Sequence, residues 1–180
     1  MIEPVDDAWD AVVLAGGRGS RLGGVDKAAV EVGGRTLLDH ALDAVRGARR
    51  IVVVGPRRPV PGIVWTREEP PGGGPVAGLA AGIALVTAPR VVVLAVDQPG
   101  VTAATVARLV AVGQSAVLVD RDGREQWLTG VWRTDDLRAA LPADPRDRSV
   151  RSVVAALLPV RVAGSPEETS DVDTPGDLGR

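Results

Sequence analysis

Lys27 is the one lysine of the chain. The count of Lys+Arg is 21, so every other one of these residues is an arginine. Lys27 closes the stretch LAGGRGSRLGGVDK, residues 14–27, in which five glycines and two arginines follow a short apolar run. A strand that breaks into glycines exposes successive N–H groups with no Cβ in the way, which makes a concave anion site. The competing reading is a plain glycine-rich turn, in a chain with 22 glycines, with a lysine left over by drift to arginine. Two familiar phosphate loops do not fit. A dinucleotide fingerprint starting at Gly17 and Gly19 has Leu22 at its third glycine position, and VVVGPRR puts Gly55 and Pro56 where its acidic residue belongs. A Walker loop needs Gly-Lys-Ser/Thr, whereas Lys27 follows Asp26 and precedes Ala28.

The second chemical feature is Asp97, which ends the apolar run RVVVLAVD and is followed by Gln98-Pro99. There is no cysteine and one histidine, His40, so thiol catalysis, Cys-metal sites and multi-His metal sites are excluded, and a Ser-His-Asp triad has little support. What remains is Asp, Glu, Lys, Arg, backbone amides and a hard metal ion. Reactions that proceed by positioning and charge, such as phosphoryl or nucleotidyl transfer, suit that inventory.

The elements needed to position these groups are legible. Ala11–Ala15, RIVVVG, IVWT, RVVVLAVD and SAVLVD read as strands, and EQWLTGVWR as the second arm of a hairpin closed by RDGR. RTLLDHALDAV has a helical period, Pro75 opens the helix PVAGLAAGIALV, and Thr102 caps AATVARLVAV. Gly78 and Gly82 on the second of these helices suggest close backbone approach. TDDLRAAL, with Thr134 as its cap, and SVRSVVAALL are further helices, and VRVAG is a short last strand. Apolar strands alternating with helices give a mostly parallel α/β sheet in one domain spanning 1–180. Ligands of such sheets bind beyond the carboxyl ends of the strands, the edge on which both the glycine loop and Asp97 open.

With a net charge of -2 and no basic face, no nucleic-acid partner is expected. No apolar stretch reaches the ~20 residues that span a bilayer. The acidic start MIEPVDDAWD is unlike a signal peptide, so a cytoplasmic location is expected.

The pattern LAGG-x-x-x-R-L-G-G-x-D-K resembles the signature of molybdenum cofactor guanylyltransferases, within the wider nucleotidyltransferase superfamily. GGGPVAGLAAGI, VLAVDQP and DVDTPGDL resemble three further motifs of that family, in the same order. The resemblance implies a three-layer Rossmann-like nucleotidyltransferase fold. It implies a nucleotide bound by backbone at Leu14, Ala15, Gly16 and Gly17, with Lys27 on the triphosphate and Arg21 as a second phosphate contact. Lysine, a compact charge with three mobile donors, is not freely replaced by a planar guanidinium in that work. Asp97 would carry Mg²⁺, with Asp173 as a second acidic ligand, although several relatives have Asn there. A carboxylate at Asp97's position costs several kcal/mol if buried unpaired, and a magnesium ion held by one or two carboxylates plus phosphates compensates it.

Glu68 falls where the family has an acidic nucleotide contact. Gln126 matches a polar position before a late strand, but Trp127 stands in place of the usual Pro. Gly55 falls where some guanylyltransferases place a base-contacting Asn, a departure that bears on guanine specificity. His40 fits a structural position, and Trp127 and Trp132 could line an acceptor cleft. The implied reaction moves GMP from GTP to the phosphate of molybdopterin and releases pyrophosphate. The alternatives are the same chemistry with CTP or another phosphorylated acceptor, and a non-catalytic nucleotide-binding module.

Overall fold

The computed structural model describes residues 8–16 and 26–172. Seven strands form the main sheet: β1 (Trp9–Leu14), β4 (Ile51–Val54), β5 (Ile63–Thr66), β6 (Arg90–Ala95), β7 (Ala116–Val119), β8 (Glu125–Arg133) and β9 (Val160–Ala163). A separate two-stranded hairpin pairs β2 (Glu31–Val32) with β3 (Arg35–Thr36). The main sheet runs in the order β5-β4-β1-β6-β8-β7-β9. β8 alone runs against its neighbours β6 and β7. The other pairs in the sheet are parallel.

Alternation along the strands builds two cores. Ala11, Val13, Val53, Val92 and Leu94 face α1 (Leu37–Ala44) and α3 (Ala103–Val110). Val12, Leu14, Val52, Val54, Val91 and Val93 face α2 (Pro75–Ile83), α4 (Thr134–Ala140) and α5 (Val150–Val154). The architecture is therefore helix, sheet, helix in three layers. In the absence of Phe and Tyr the cores are closed by Val, Leu, Ile and Ala, with Trp132 as their largest wholly buried side chain.

The helix starts follow from local chemistry. Thr36 and Asp39 form a reciprocal capping box on α1, and Thr102 and Thr105 do the same on α3. Pro75 occupies the first turn of α2, where its missing N–H has no cost. The two glycines of α2 differ. A Cβ on Gly82 would lie 2.6 Å from a methyl of Val12, whereas one on Gly78 would meet only ordinary contacts at 3.5 Å or more. Gly82 lets the helix lie close on β1.

Three expectations need correcting. β6 ends at Ala95, so Asp97 lies in the turn beyond the strand. Thr134 does not cap α4; it is the first helical residue, Arg133 holds the cap position, and the Thr134 hydroxyl donates to the Ala88 carbonyl at 2.7 Å. Trp132 is 1% exposed and cannot line a cleft. The expected helix over SVRSVVAALL is α5, capped by Ser149, followed by a 3-10 turn at Ala155–Leu157.

Candidate active site

From β1 the chain moves outward to β4 and then β5 on one side. It then returns to place β6 on the other side of β1. The strand order reverses between β1 and β6, which is where an open parallel sheet forms its binding crevice. Lys27 and Asp97 meet there. The Lys27 Nζ donates to Asp97 Oδ2 at 3.0 Å, although the two residues are 70 positions apart. Their side chains are 17% and 29% exposed, so the pair is partly desolvated and open to the crevice.

Lys27 begins a 3-10 turn, Lys27–Ala29. Asp26 caps it by accepting from the Ala28 N–H at 3.2 Å, and the Arg58 guanidinium holds the other Asp26 oxygen. Ala28 and Val30 are buried beneath α1, which fixes the turn to the core. Asp97 is held through its backbone. Its carbonyl accepts from the Val172 N–H at 2.8 Å, joining the turn after β6 to the chain's last described residue.

The segment leading to Val172 is bolted down in turn. Buried Glu168 accepts from both Arg108 nitrogens at 2.9 Å, from the Thr105 hydroxyl at 2.5 Å and from the Ser165 N–H at 2.8 Å. These donors, the Arg108 guanidinium first, hold its carboxyl down at about 2. A Cβ on Gly100 would fall 2.0 Å from the Glu167 carbonyl oxygen, so only glycine lets the two segments touch.

At the mouth of the glycine loop much of the backbone is already committed. The Ala15 N–H donates to the Val54 carbonyl at 2.9 Å, and the Leu14 carbonyl accepts from Val96 N–H at 3.2 Å. Gly16 is exposed. Gly55 closes over this turn, and a Cβ there would stand 3.0 Å from the Ala15 carbonyl carbon and 3.1 Å from the Gly16 nitrogen. A side chain at 55 would displace the loop entrance. Gly17, Arg21 and Asp173 lie outside the described residues.

Glu68 follows β5 on the same edge, where its Oε1 accepts from the Gly72 N–H at 2.9 Å. His40 Nε2 lies 3.0 Å from the Val32 carbonyl and ties α1 to the small hairpin, a structural position as expected. Trp127 is partly buried and packs against the α2 core. Sequence reasoning overlooked Gln98, which is 8% exposed and bonded to Gln126 and Thr129. The available signal was a polar residue lodged between an apolar strand and a proline. It also overlooked Glu168, which sits in a polar stretch with no apolar period to mark it.

The three-layer α/β fold brings a lysine and a carboxylate together at its switch point, an arrangement that suits transfer reactions driven by positioning and charge. The chain belongs to the MobA-like NTP transferase family, whose domain it matches over residues 11–162. It is 35% identical to a molybdenum cofactor guanylyltransferase of Acidiphilium cryptum, over 73% of this chain and 70% of that one. Among solved structures it resembles a protein of Mycobacterium tuberculosis H37Rv (TM-score 0.78, 25% identity, 94% of each chain). It also resembles the 2-C-methyl-D-erythritol 4-phosphate cytidylyltransferase of Thermus thermophilus (TM-score 0.68, 25% identity, 93% of this chain and 94% of that one).

Proposed function

We propose that this nucleotidyltransferase moves GMP from GTP to the terminal phosphate of molybdopterin. The observation that carries the reading is the Lys27–Asp97 pair at the β1/β6 switch point, in a chain whose curated relative is a guanylyltransferase. An oxygen of the acceptor phosphate attacks the α-phosphorus of GTP in line. The bond from the α-phosphorus to the α,β-bridging oxygen breaks, and pyrophosphate leaves with that electron pair. A phosphate monoester is already anionic near neutral pH, so the chain needs neither a nucleophile nor a histidine base.

In the absence of nucleotide each member of the pair serves as the other's counter-ion. With nucleotide bound, the Lys27 ammonium turns to the triphosphate and stabilises the charge that builds on the leaving group. Loop N–H groups from Gly16 onward, with Arg21, add donors. The donor set suits Mg²⁺: a hard carboxylate at a crevice, completed by phosphate oxygens. Asp97 would hold it, with Asp173 as the second ligand. The ion supplies charge neutralisation at the phosphates when bound.

Pyrophosphate release, measured with each of the four NTPs and with molybdopterin, with and without Mg²⁺, tests the reading. Release is expected with GTP, molybdopterin and Mg²⁺ together. A second reading, CTP as donor, is favoured by Gly55, which offers no side chain to a guanine, and by the likeness to a cytidylyltransferase. Release with CTP and not GTP would establish it. Nucleotide binding without turnover would mark the chain as a non-catalytic module. Among the described residues no helix is long and apolar enough to cross a membrane, and a cytoplasmic site of action is part of the proposal.

A further inference from the structure

The pairing of β8 changes at the crevice. Val117 on β7 pairs with Gly130, but the next residue, Leu118, pairs with Gln126. Trp127, Leu128 and Thr129 are thus looped out of the ladder. The pairing of β8 with β6 also stops at Gly130, opposite Val93. Bulges of this kind re-aim side chains beside functional sites. Here the sheet opens just where β6 runs on to Asp97, and the side chain of Gln98 bridges the opening. The Thr129 hydroxyl donates to Gln98 Oε1, and Gln98 Nε2 donates to Gln126 Oε1 at 3.0 Å.

The direction of this chain of hydrogen bonds matters, because an amide can be turned end for end. Thr129 is 1% exposed, and among the described residues Gln98 is the partner of its hydroxyl. If both amides were reversed, Gln98 would donate to Thr129, and the buried hydroxyl proton would have no acceptor. A buried unsatisfied donor is costly, so Thr129 sets Gln98 and Gln98 sets Gln126. With its oxygen accepting from Gln98, the donors that Gln126 has to offer are the two N–H groups of its NH₂. It is partly exposed at the edge of the sheet, one strand away from Asp97.

We propose that Gln126 is a donor to a phosphate oxygen of the acceptor substrate, and that Gln98 and Thr129 are positioning residues that keep its amide in that sense. The acceptor's identity rests on the transfer reading above; the orientation of the amide does not.

Two measurements test it. The first uses the ligand-free protein: exchange of the side-chain amide protons with water, by ¹⁵N NMR. The Gln98 protons are expected to exchange slowly and those of Gln126 rapidly. Protected Gln126 protons would overturn the proposal, because they would place the NH₂ inward.

The second measurement is steady-state transfer from GTP to molybdopterin by Gln126→Glu and Gln98→Met. The carboxylate introduced by Gln126→Glu still accepts from Gln98 but presents an anionic oxygen in place of the donor. One hydrogen bond to a charged group corresponds to a rise of roughly 10- to 100-fold in the acceptor KM. The GTP KM is expected to stay within about twofold of wild type, a split that a merely structural defect would not produce. The Gln98→Met substitution removes the partner that holds Gln126, and a smaller rise confined to the acceptor is expected. Equal rises in both KM values, or no rise in either, would overturn the proposal. If the wild-type protein does not turn over with molybdopterin at all, the transfer reading has failed, and the exchange measurement decides the orientation by itself.

Discussion

Replacing Lys27 with arginine keeps the charge and changes only its shape, which makes it a sharper probe than truncation. The ammonium sits 3.0 Å from Asp97 Oδ2 with 17% of the side chain exposed, at the start of a 3-10 turn that Asp26 and buried Ala28 hold in place. A guanidinium is longer and planar and presents its donors as a fixed fork. It has to displace Asp97 or withdraw toward solvent, and in either case it cannot follow the triphosphate as charge builds on the leaving group. A charge-assisted hydrogen bond contributes about 1.5–3 kcal/mol, so kcat/KM for GTP should fall by roughly 10- to 150-fold in Lys27→Arg. Removing the charge as well, in Lys27→Ala, forfeits an oxyanion-type donor of about 3–4 kcal/mol, and the loss should reach roughly 100- to 1,000-fold. The assay is initial-rate pyrophosphate release at varied GTP and saturating acceptor. Both variants should melt near wild type, because the pair is partly solvated and a surface ion pair stabilises by no more than about 1 kcal/mol. An arginine variant with full activity would refute the reasoning, since charge alone would then suffice and the single lysine would have no chemical explanation.

Three further outcomes are expected. Asp97→Asn should leave the melting temperature nearly unchanged, abolish Mg²⁺-dependent transfer and weaken Mn²⁺ binding followed by electron paramagnetic resonance; unaltered Mn²⁺ affinity would remove Asp97 from the metal site. Gly82→Ala puts a Cβ 2.6 Å from Val12 and should destabilise by about 1–3 kcal/mol in urea melts, whereas Gly78→Ala should cost far less. Glu168→Gln should destabilise the protein by about 2–3 kcal/mol at pH 7. The Glu168 carboxyl is held at about 2 against an ordinary 4.5, so its contribution is complete above pH 4.5 and is lost as the pH falls toward 2. The wild-type and variant stability curves should therefore converge on acidification, and parallel curves over that range would contradict the assignment.

The parallel half of the sheet was legible because its strands are continuous apolar runs that need no partner to be recognised. β1, β4, β5 and β6 fall where the apolar pattern puts them, to within a residue or two. The caps at Thr36 and Thr102 and the proline start of α2 are local signals, and Thr102 and Pro75 were read directly. What escaped was decided by distant groups. Thr134 has the composition of a cap, yet its hydroxyl goes to a carbonyl 46 positions away. Trp132 and Trp127 share a strand, but the bulge that ends at Gly130 sends one into the core and leaves the other partly exposed. No local pattern encodes such a break in register. Of the candidate site, Lys27 and Asp97 could be named separately, because each is anomalous in its own surroundings. Their meeting depends on strand order, which places β6 beside β1. Gln98 bonds partners 28 and 31 positions away, and Glu168 is held chiefly by Thr105 and Arg108, 63 and 60 positions away, so neither role can be read from local sequence.

Direct in-line transfer at the Lys27–Asp97 crevice leaves no covalent enzyme intermediate. Its most direct test is a single-turnover experiment with α-³²P-labelled GTP, molybdopterin and Mg²⁺, quenched in acid at successive times. All transferred label should appear in the pterin dinucleotide at the rate at which pyrophosphate is released, and none should remain on protein. Label trapped on the chain, or pyrophosphate released without labelled dinucleotide, would contradict direct transfer.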